Sequence, residues 1–509
     1  MKNITIIRYS AVFAAALAAV GCSPDKFLDV NTSPNQTKAV PPSVQLPTIT
    51  IGTGFVVGNT LGRDADLFIQ HYAGIANQPQ TEDRYVINGN YDNEWRFDLY
   101  TYNLNGAQTL INSTQATSPA YAGIAKLIKA YNFALTTDFW GDVPYSKALQ
   151  GLANLHPTFD KQQDIYEGAA GIQSLFDLVR EGLADLDKTN NVLLPGADDV
   201  VYKGNLSKWR KMGNMLLLKF ANTISRKDPV LAAKVINEVL AKGIGGSAAI
   251  NSNADDFEIP FGTAVGNTNP FYSYNITNRA NDQMASTRFL DSLAAYEDPR
   301  LPKYFTTTPN NASATEITAF GKFTGFENGS NANPPAPTNR SVYNTYVLGT
   351  NGQLPVTPGN GGQAPVRVLT NFQRAFILAE SAVTLNTPGN ADALYKEGIR
   401  RSMEKTGLTT AEIDAYFLAN PAIVTLRGSN ANKVSQIIRQ KWTAWVGNGY
   451  EAFNDYRRTG YPRLQPALNV VVTPNIPRRL LYPPAEVSAN GDNIPAAVVI
   501  TTPVWWDVN

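Results

Sequence analysis

The chain has 509 residues, 43% of them hydrophobic and 17% charged, with 43 Lys plus Arg against 42 Asp plus Glu. A net charge of +1 with no basic stripe lacks the electrostatic footprint of a nucleic-acid-binding protein. A single cysteine excludes an internal disulfide framework, so stability has to come from a core that this length is ample to build.

Lys2 and Arg8 flank the start of the chain, and an apolar run follows from Ala11 to Val20. That run is about half of the roughly 20 residues a membrane-spanning helix needs. A positive region, a short apolar stretch and small residues at the exit are the parts of a secretory signal peptide, expected over residues 1–21. The exit reads Ala19-Val20-Gly21-Cys22, a lipobox pattern in which Cys22 becomes the lipidated first residue. Each buried methylene of an acyl chain contributes about 0.8 kcal/mol, so two or more chains hold firmly where one does not. Residues 22–40, with a polar stretch from Asn31 to Thr37, read as a lipidated tether, and Pro41-Pro42 opens a globular domain expected over 41–509.

Helical periodicity then dominates. Apolar residues three and four apart predict one buried face in Leu61, Ala65, Phe68, Tyr72 and Ile75, and another in Tyr121, Ile124, Ile128, Tyr131 and Leu135. The cleanest run is Ile165, Ala169, Ile172, Phe176, Val179, Leu183 and Leu186, followed by Trp209, Met212, Leu216, Phe220 and Ile224. Asp228-Pro229 and Gly243 supply the start and stop of the next helix. Residues 245–369 are different, being rich in Asn, Thr, Gly and Pro, with one helix predicted from Ser286 to Tyr296. Phe372, Phe376, Ala379 and Val383, then Ala391 to Met403, then Val434, Ile438, Trp442 and Trp445 return to helix. Small residues such as Ala379, Ala382 and Ala393 suit closely packed helical pairs of tetratricopeptide type, without a strict 34-residue period. The expected fold is mainly α: tetratricopeptide-like helical pairs forming one core, decorated by long loops of the kind that usually carry binding.

Catalytic signatures are scarce. The two histidines, His71 and His156, lie far apart, and no His-Glu-x-x-His, cysteine cluster, Gly-x-Ser-x-Gly elbow or Walker loop occurs. Gly52-Thr53-Gly54-Phe55-Val56-Val57-Gly58 lacks the spacing and strand context of a dinucleotide loop. Asp255-Asp256-Phe257-Glu258 could face calcium but reads more simply as a solvated acidic loop. Nothing singles out a carboxylate pair for glycoside hydrolysis. The expectation is a protein without enzymatic activity, cofactor or metal. Aromatic rings in polar loops are the stronger chemistry, since a flat apolar face with a hydrogen-bonding tip suits sugar rings or peptide side chains. Tyr85 and Tyr91 in the loop 78–93, Tyr272 and Tyr274 in 270–275, and Trp95 at a helix start are the candidate ligand-binding residues.

Taken together, several stretches resemble the SusD/RagB family of nutrient-binding outer-membrane lipoproteins. They begin with Asp25-Lys26-Phe27-Leu28-Asp29 after Cys22, continue through Thr137-Asp138-Phe139-Trp140-Gly141-Asp142 and Asp298-Pro299-Arg300-Leu301, and are densest near the C-terminus. There the matching residues are Asn448-Gly449-Tyr450-Glu451-Ala452-Phe453, Asp455-Tyr456-Arg457-Arg458-Thr459-Gly460, Ile476-Pro477-Arg478-Arg479-Leu480 and Trp505-Trp506-Asp507. The resemblance implies a surface-exposed, lipid-anchored protein of the outer membrane. It would bind glycans or peptides and sit as a lid over a SusC-like TonB-dependent transporter. Arg457, Arg458 and Trp505-Trp506 read as packing and ion pairing rather than ligand contacts. A secreted glycan- or peptide-degrading hydrolase is the alternative reading, and a structural surface protein or adhesin the third.

Overall fold

Several helices start at side chains able to cap them. The Asp228 carboxylate accepts the Leu231 N–H at 2.9 Å, Pro229 occupies the first turn, and the helix stops at Gly243. Thr370 and Asn390 cap the two helices Asn371–Thr384 and Ala391–Lys405 in the same way. The computed structural model describes residues 40–87, 89, 91–308, 323–353 and 355–509. The leader, Cys22 and all but the end of the tether lie outside them.

Residues 42–509 form one unit whose helices include α1 (Pro42–Gly58), α2 (Thr60–Phe68), α3 (Asn105–Thr114), α4 (Pro119–Trp140), α5 (Leu175–Leu186), α6 (Leu206–Ile224), α7 (Pro229–Lys242), α8 (Asn371–Thr384), α9 (Ala391–Lys405), α10 (Asn430–Ala444) and α11 (Gly449–Thr459). The pairs α4 with α5, α6 with α7 and α8 with α9 pack side by side, and α6 also meets α5 and α8. This is the expected tetratricopeptide-like arrangement. Every residue of α4 except Lys129 is buried, which makes it the central helix. Burial of each large apolar side chain there contributes about 1.5–3 kcal/mol. Where α4 crosses α5, Gly123 and Gly182 lie against each other's backbone, and a Cβ on either would press on the other's carbonyl.

The sequence periodicity is broken in two places. The run from Ile165 to Leu186 is two helices, Gln162–Glu167 and α5, because Gly168 and Gly171 adopt φ of 86° and 79° and turn the chain through an Ala169–Ile172 bridge. Tyr72 leaves the helical face predicted for it. Gln70 turns the backbone at φ 61°, and Tyr72–Gly74 becomes strand β1, paired antiparallel with Gln283–Ala285. Two further two-stranded pairs, Val143–Pro144 with Phe159–Asp160 and Phe257–Ile259 with Val366–Leu369, fasten other loops to the helices. The helix predicted from Ser286 to Tyr296 is present as Thr287–Ala294.

Asp138, fully buried at the end of α4, joins distant parts of the chain. Its carboxylate accepts the Tyr166 and Tyr450 hydroxyls at 2.7 Å each, Asn454 Nδ2 at 2.7 Å and Trp506 Nε1 at 2.8 Å. Arg457 is buried beside it, donating to the backbone carbonyls of Asp138 and Arg478 and lying 4.2 Å and 4.6 Å over the rings of Phe453 and Trp506. Next to it Arg458 pairs with Glu380 and Asp455, and Lys441 with Asp455 at 2.8 Å. Arg300 binds Asp298 at 2.6 Å and reaches Gln440 and Ser402. Among the described residues, these charged residues of the sequence motifs are therefore internal ties.

Asp138→Ala would orphan four buried donors and is expected to lower the unfolding free energy by about 3–5 kcal/mol. Tyr166→Phe, which removes one of the four, is expected to lower it by about 1–2 kcal/mol. Urea unfolding of both variants measures the difference.

Candidate ligand-binding site

Helix α2 carries Arg63, Asp64 and Asp66 among apolar neighbours, and all three are buried. A buried charge requires partners, and these come from the loops that the β1 pairing brings across α2. The Arg63 guanidinium lies 3.7 Å over the ring of Tyr274 and donates to Asn59 Oδ1 at 3.0 Å. Its Nε has no protein partner. Tyr274 belongs to the π-helix Ser273–Asn278, whose far end is exposed. Asp282 closes this loop. It accepts Asn77 Nδ2 on Oδ1 at 2.7 Å, while its buried Oδ2 is unpartnered. Asn77 and Gln78 are exposed at the rim.

Behind Arg63, the Asp64 and Glu82 carboxyls are in hydrogen-bond contact. Burial first, and then the neighbouring acid, holds Asp64 well above its ordinary range; burial also raises Glu82. Both effects disfavour ionising the two carboxyls together. Tyr91 caps it, its hydroxyl donating to Asp64 Oδ2 at 2.8 Å, and Gln78 Nε2 donates to Glu82 Oε1 at 2.6 Å. Two acids in direct contact do not match glycoside hydrolysis, where the carboxyls stand about 5–9.5 Å apart with the bond between them.

The five candidate aromatics are not one surface. Tyr85, Tyr91, Trp95 and Tyr272 are buried, a correction to the expectation that their faces are open to a ligand. Each polar tip is used internally. The Tyr85 hydroxyl accepts Ala467 N–H at 2.8 Å, with Tyr85 itself at φ 64°. Trp95 Nε1 donates to Glu486 at 3.1 Å and its ring packs 5.1 Å from Trp140. The Tyr272 hydroxyl donates to Thr357 O and accepts Gly359 N–H, each at 2.8 Å. A polar loop lying on a helical core needs rings that point inward to hold it, and these four serve that purpose. Tyr274 alone is half-buried. The residues missed from sequence are Arg63, Asp64, Glu82 and Asp282; three charges within four positions of an otherwise apolar helix were the available signal.

The remaining sequence candidates have structural partners. His71 is buried with Nδ1 2.8 Å from Asp66 and Nε2 2.8 Å from Trp442 O, while the exposed His156 meets Ala489 O at 2.9 Å. Asp255 and Asp256 pair with Lys211 and Lys405, each at 2.7 Å, and Glu258 with Arg367 at 3.3 Å. Among the described residues no group of three or more His, Cys, Asp or Glu side chains could hold a metal ion. None of their helices is long and apolar enough to cross a membrane.

This scaffold, a helical stack with a charged and aromatic loop edge, is that of a SusD-like protein. The family model described as "Starch-binding associating with outer membrane" matches residues 34–483, and the chain belongs to this SusD-like family. Among solved structures, a chitin-binding protein superposes with a TM-score of 0.76 at 24% identity, over 92% of this chain and 100% of its own. A chitin-binding SusD homologue from Flavobacterium johnsoniae gives 0.73 at 21%, over 92% and 99%. A SusD homologue from Bacteroides uniformis gives 0.71 at 22%, over 91% and 99%. By sequence, no curated protein matches the chain.

The loop carrying the site is tied down by Asp83, which accepts Asn328 Nδ2 at 2.7 Å and the N–H groups of Gly329 and Gly74 at 2.8 Å and 3.1 Å. Burial nevertheless pushes Asp83 up to about 7. An acid whose folded pKa is raised favours the folded state while protonated, and that advantage is lost as pH rises from its unfolded value, about 4, through 7. Hydrogen exchange of residues 72–87, corrected for intrinsic rates, is expected to be slower at pH 5.5 than at pH 8. Asp83→Asn, neutral at both, should erase that contrast.

Proposed function

We propose that the chain is the nutrient-capturing lipoprotein of a Gram-negative outer membrane, binding extracellular oligosaccharides (or peptides) and delivering them to a SusC-like TonB-dependent transporter. In this reading Cys22 is acylated and anchors the protein at the cell surface. Membership of a family described as starch-binding and outer-membrane-associated carries the proposal. The chitin-binding structures of the same fold support a glycan as the ligand.

The Arg63–Tyr274 edge supplies suitable chemistry. A sugar presents an apolar ring face and hydroxyls that both donate and accept. Tyr274 offers an aromatic surface, Arg63 Nε an unused donor and Asp282 Oδ2 an unused acceptor. Burial disfavours ionisation of both Asp64 and Glu82, so the pair offsets the Arg63 charge less than two solvated carboxylates would. The affinity needed is moderate. Ligand held beside a transporter gains from high local concentration, and a second contact from the transporter adds to the first. Release into the barrel sets the upper limit.

Isothermal titration with maltohexaose, chitohexaose and a peptide pool, with and without the co-purified transporter, tests the reading. Binding without new reducing or amino ends is expected, and absence of binding under every condition overturns it. Tyr274→Ala is expected to weaken binding roughly tenfold, the loss of about one stacking contact, with circular dichroism showing the fold retained. Mass spectrometry of the membrane fraction should find acyl mass on Cys22.

A further inference from the structure

A second surface, built on α1 and remote in sequence from Tyr274, has the composition of a sugar-ring site. The segment Glu94–Leu104 is an eleven-residue π-helix, a rare form found mostly at functional sites. It packs along α1 and leaves a groove of about 460 Å³ between them. Pro47, Ile51 and Phe55 of α1 form an apolar wall, and Phe55 is held edge-on by Phe261 at 5.6 Å. From the π-helix comes Tyr102, a lining residue that is 56% exposed and stacked at 6.2 Å on Phe97.

Apart from the exposed Tyr102 hydroxyl, the polar side-chain atoms of the groove are acceptors whose own donors are spent. Asn103 is 1% exposed, and its Nδ2 donates to Asp98 O at 2.6 Å, which fixes the amide orientation. Its Oδ1 is buried with no partner. That oxygen lies over the bare backbone of Gly52, where a Cβ would collide with it. The Thr48 hydroxyl donates to Val44 O at 2.8 Å and keeps only lone pairs. Asp98 supplies a carboxylate, and no cation lines the groove. Burial, helped by Glu94, pushes Asp98 up to about 6, so water solvates this carboxylate poorly. A buried amide oxygen left unpaired is a standing penalty, relieved by any ligand that donates to it.

We propose that this groove is a second sugar-ring subsite, in which a neutral hexose unit stacks on Tyr102 and Phe55 and donates hydroxyls to Asn103 Oδ1 and Asp98. An apolar ring face flanked by several O–H donors is the complement of an apolar wall with acceptors and no cation. This rests on the glycan-receptor reading and extends it: two separated ring contacts on one protein favour long oligosaccharides over short ones.

The test uses the full chain with maltohexaose and chitohexaose, and their disaccharides, followed by titration calorimetry and saturation-transfer NMR. Tyr274→Ala is expected to retain weak binding that Tyr102→Ala, added to it, removes. Tyr102→Ala and Asp98→Asn alone are each expected to weaken hexasaccharide binding by roughly tenfold or less, with disaccharide binding at Tyr274 unchanged. Binding that is lost in Tyr274→Ala and untouched by Tyr102→Ala and Asp98→Asn overturns the subsite and leaves the receptor reading standing. A wild type that binds no oligosaccharide overturns both. Oligolysine binding that depends on Asp98, without sugar binding, would assign the groove to a cation and overturn the proposal.

Discussion

Four donors converge on one carboxylate with no access to water. Asp138 closes the end of the central helix against Tyr166, Tyr450, Asn454 and Trp506, residues as far as 368 positions away. A buried anion is tolerated only when its lone pairs are filled, so the three segments that carry these four donors must all arrive for any of them to be stable there. The last turn of α4, the helix α11 and the C-terminal Trp506 are thereby made interdependent, although the chain connecting them includes the whole loop-bearing region.

The binding edge hangs from this frame by smaller fastenings of the same kind. Strand β1 leaves α2 and pairs with Gln283–Ala285, which sets the Tyr274 loop opposite Arg63. Asp83 then grips Asn328 and Gly329. Where Asp138 is anchored in the densest part of the core, Asp83 sits among loops and is raised by burial to about 7. The frame lies deep in the core and the edge among loops, a contrast that would suit a receptor of the proposed kind, which must both grip and release a ligand.

What the sequence revealed follows from where periodicity and polarity have single meanings. The helices over Tyr121–Leu135, Trp209–Ile224 and Asp228–Gly243 were legible because a 3.6-residue apolar stripe with caps admits no other packing. In the run from Ile165 to Leu186 the stripe persisted through Gly168 and Gly171, so spacing could not report the break that two positive φ angles impose. The roles of Arg457, Arg458 and Trp506 as internal ties were expected from the family resemblance, because they lie in its shared motifs, and the ion pair to Asp455 and the Arg457–Trp506 contact agree with it. The aromatic site was not. Whether Tyr85, Tyr91, Trp95 and Tyr272 point out or in depends on contacts such as Tyr91 with Asp64 and Tyr272 with Thr357, pairings across 27 and 85 residues that no local pattern encodes. Of the five, Tyr274 alone is half-buried rather than buried.

The π-helix has a further implication for how such proteins diversify. In a π-helix, hydrogen bonds run five residues apart, so Phe97 lies beside Tyr102 and Asp98 beside Asn103; in an α-helix residues five apart point in different directions. The segment runs straight into α3 without a break. Deleting one residue would move the segment towards ordinary pitch, leave α3 in place, and swing the aromatic pair out of alignment. Ligand preference at the proposed subsite would therefore be adjustable by a change of length as well as of side chain.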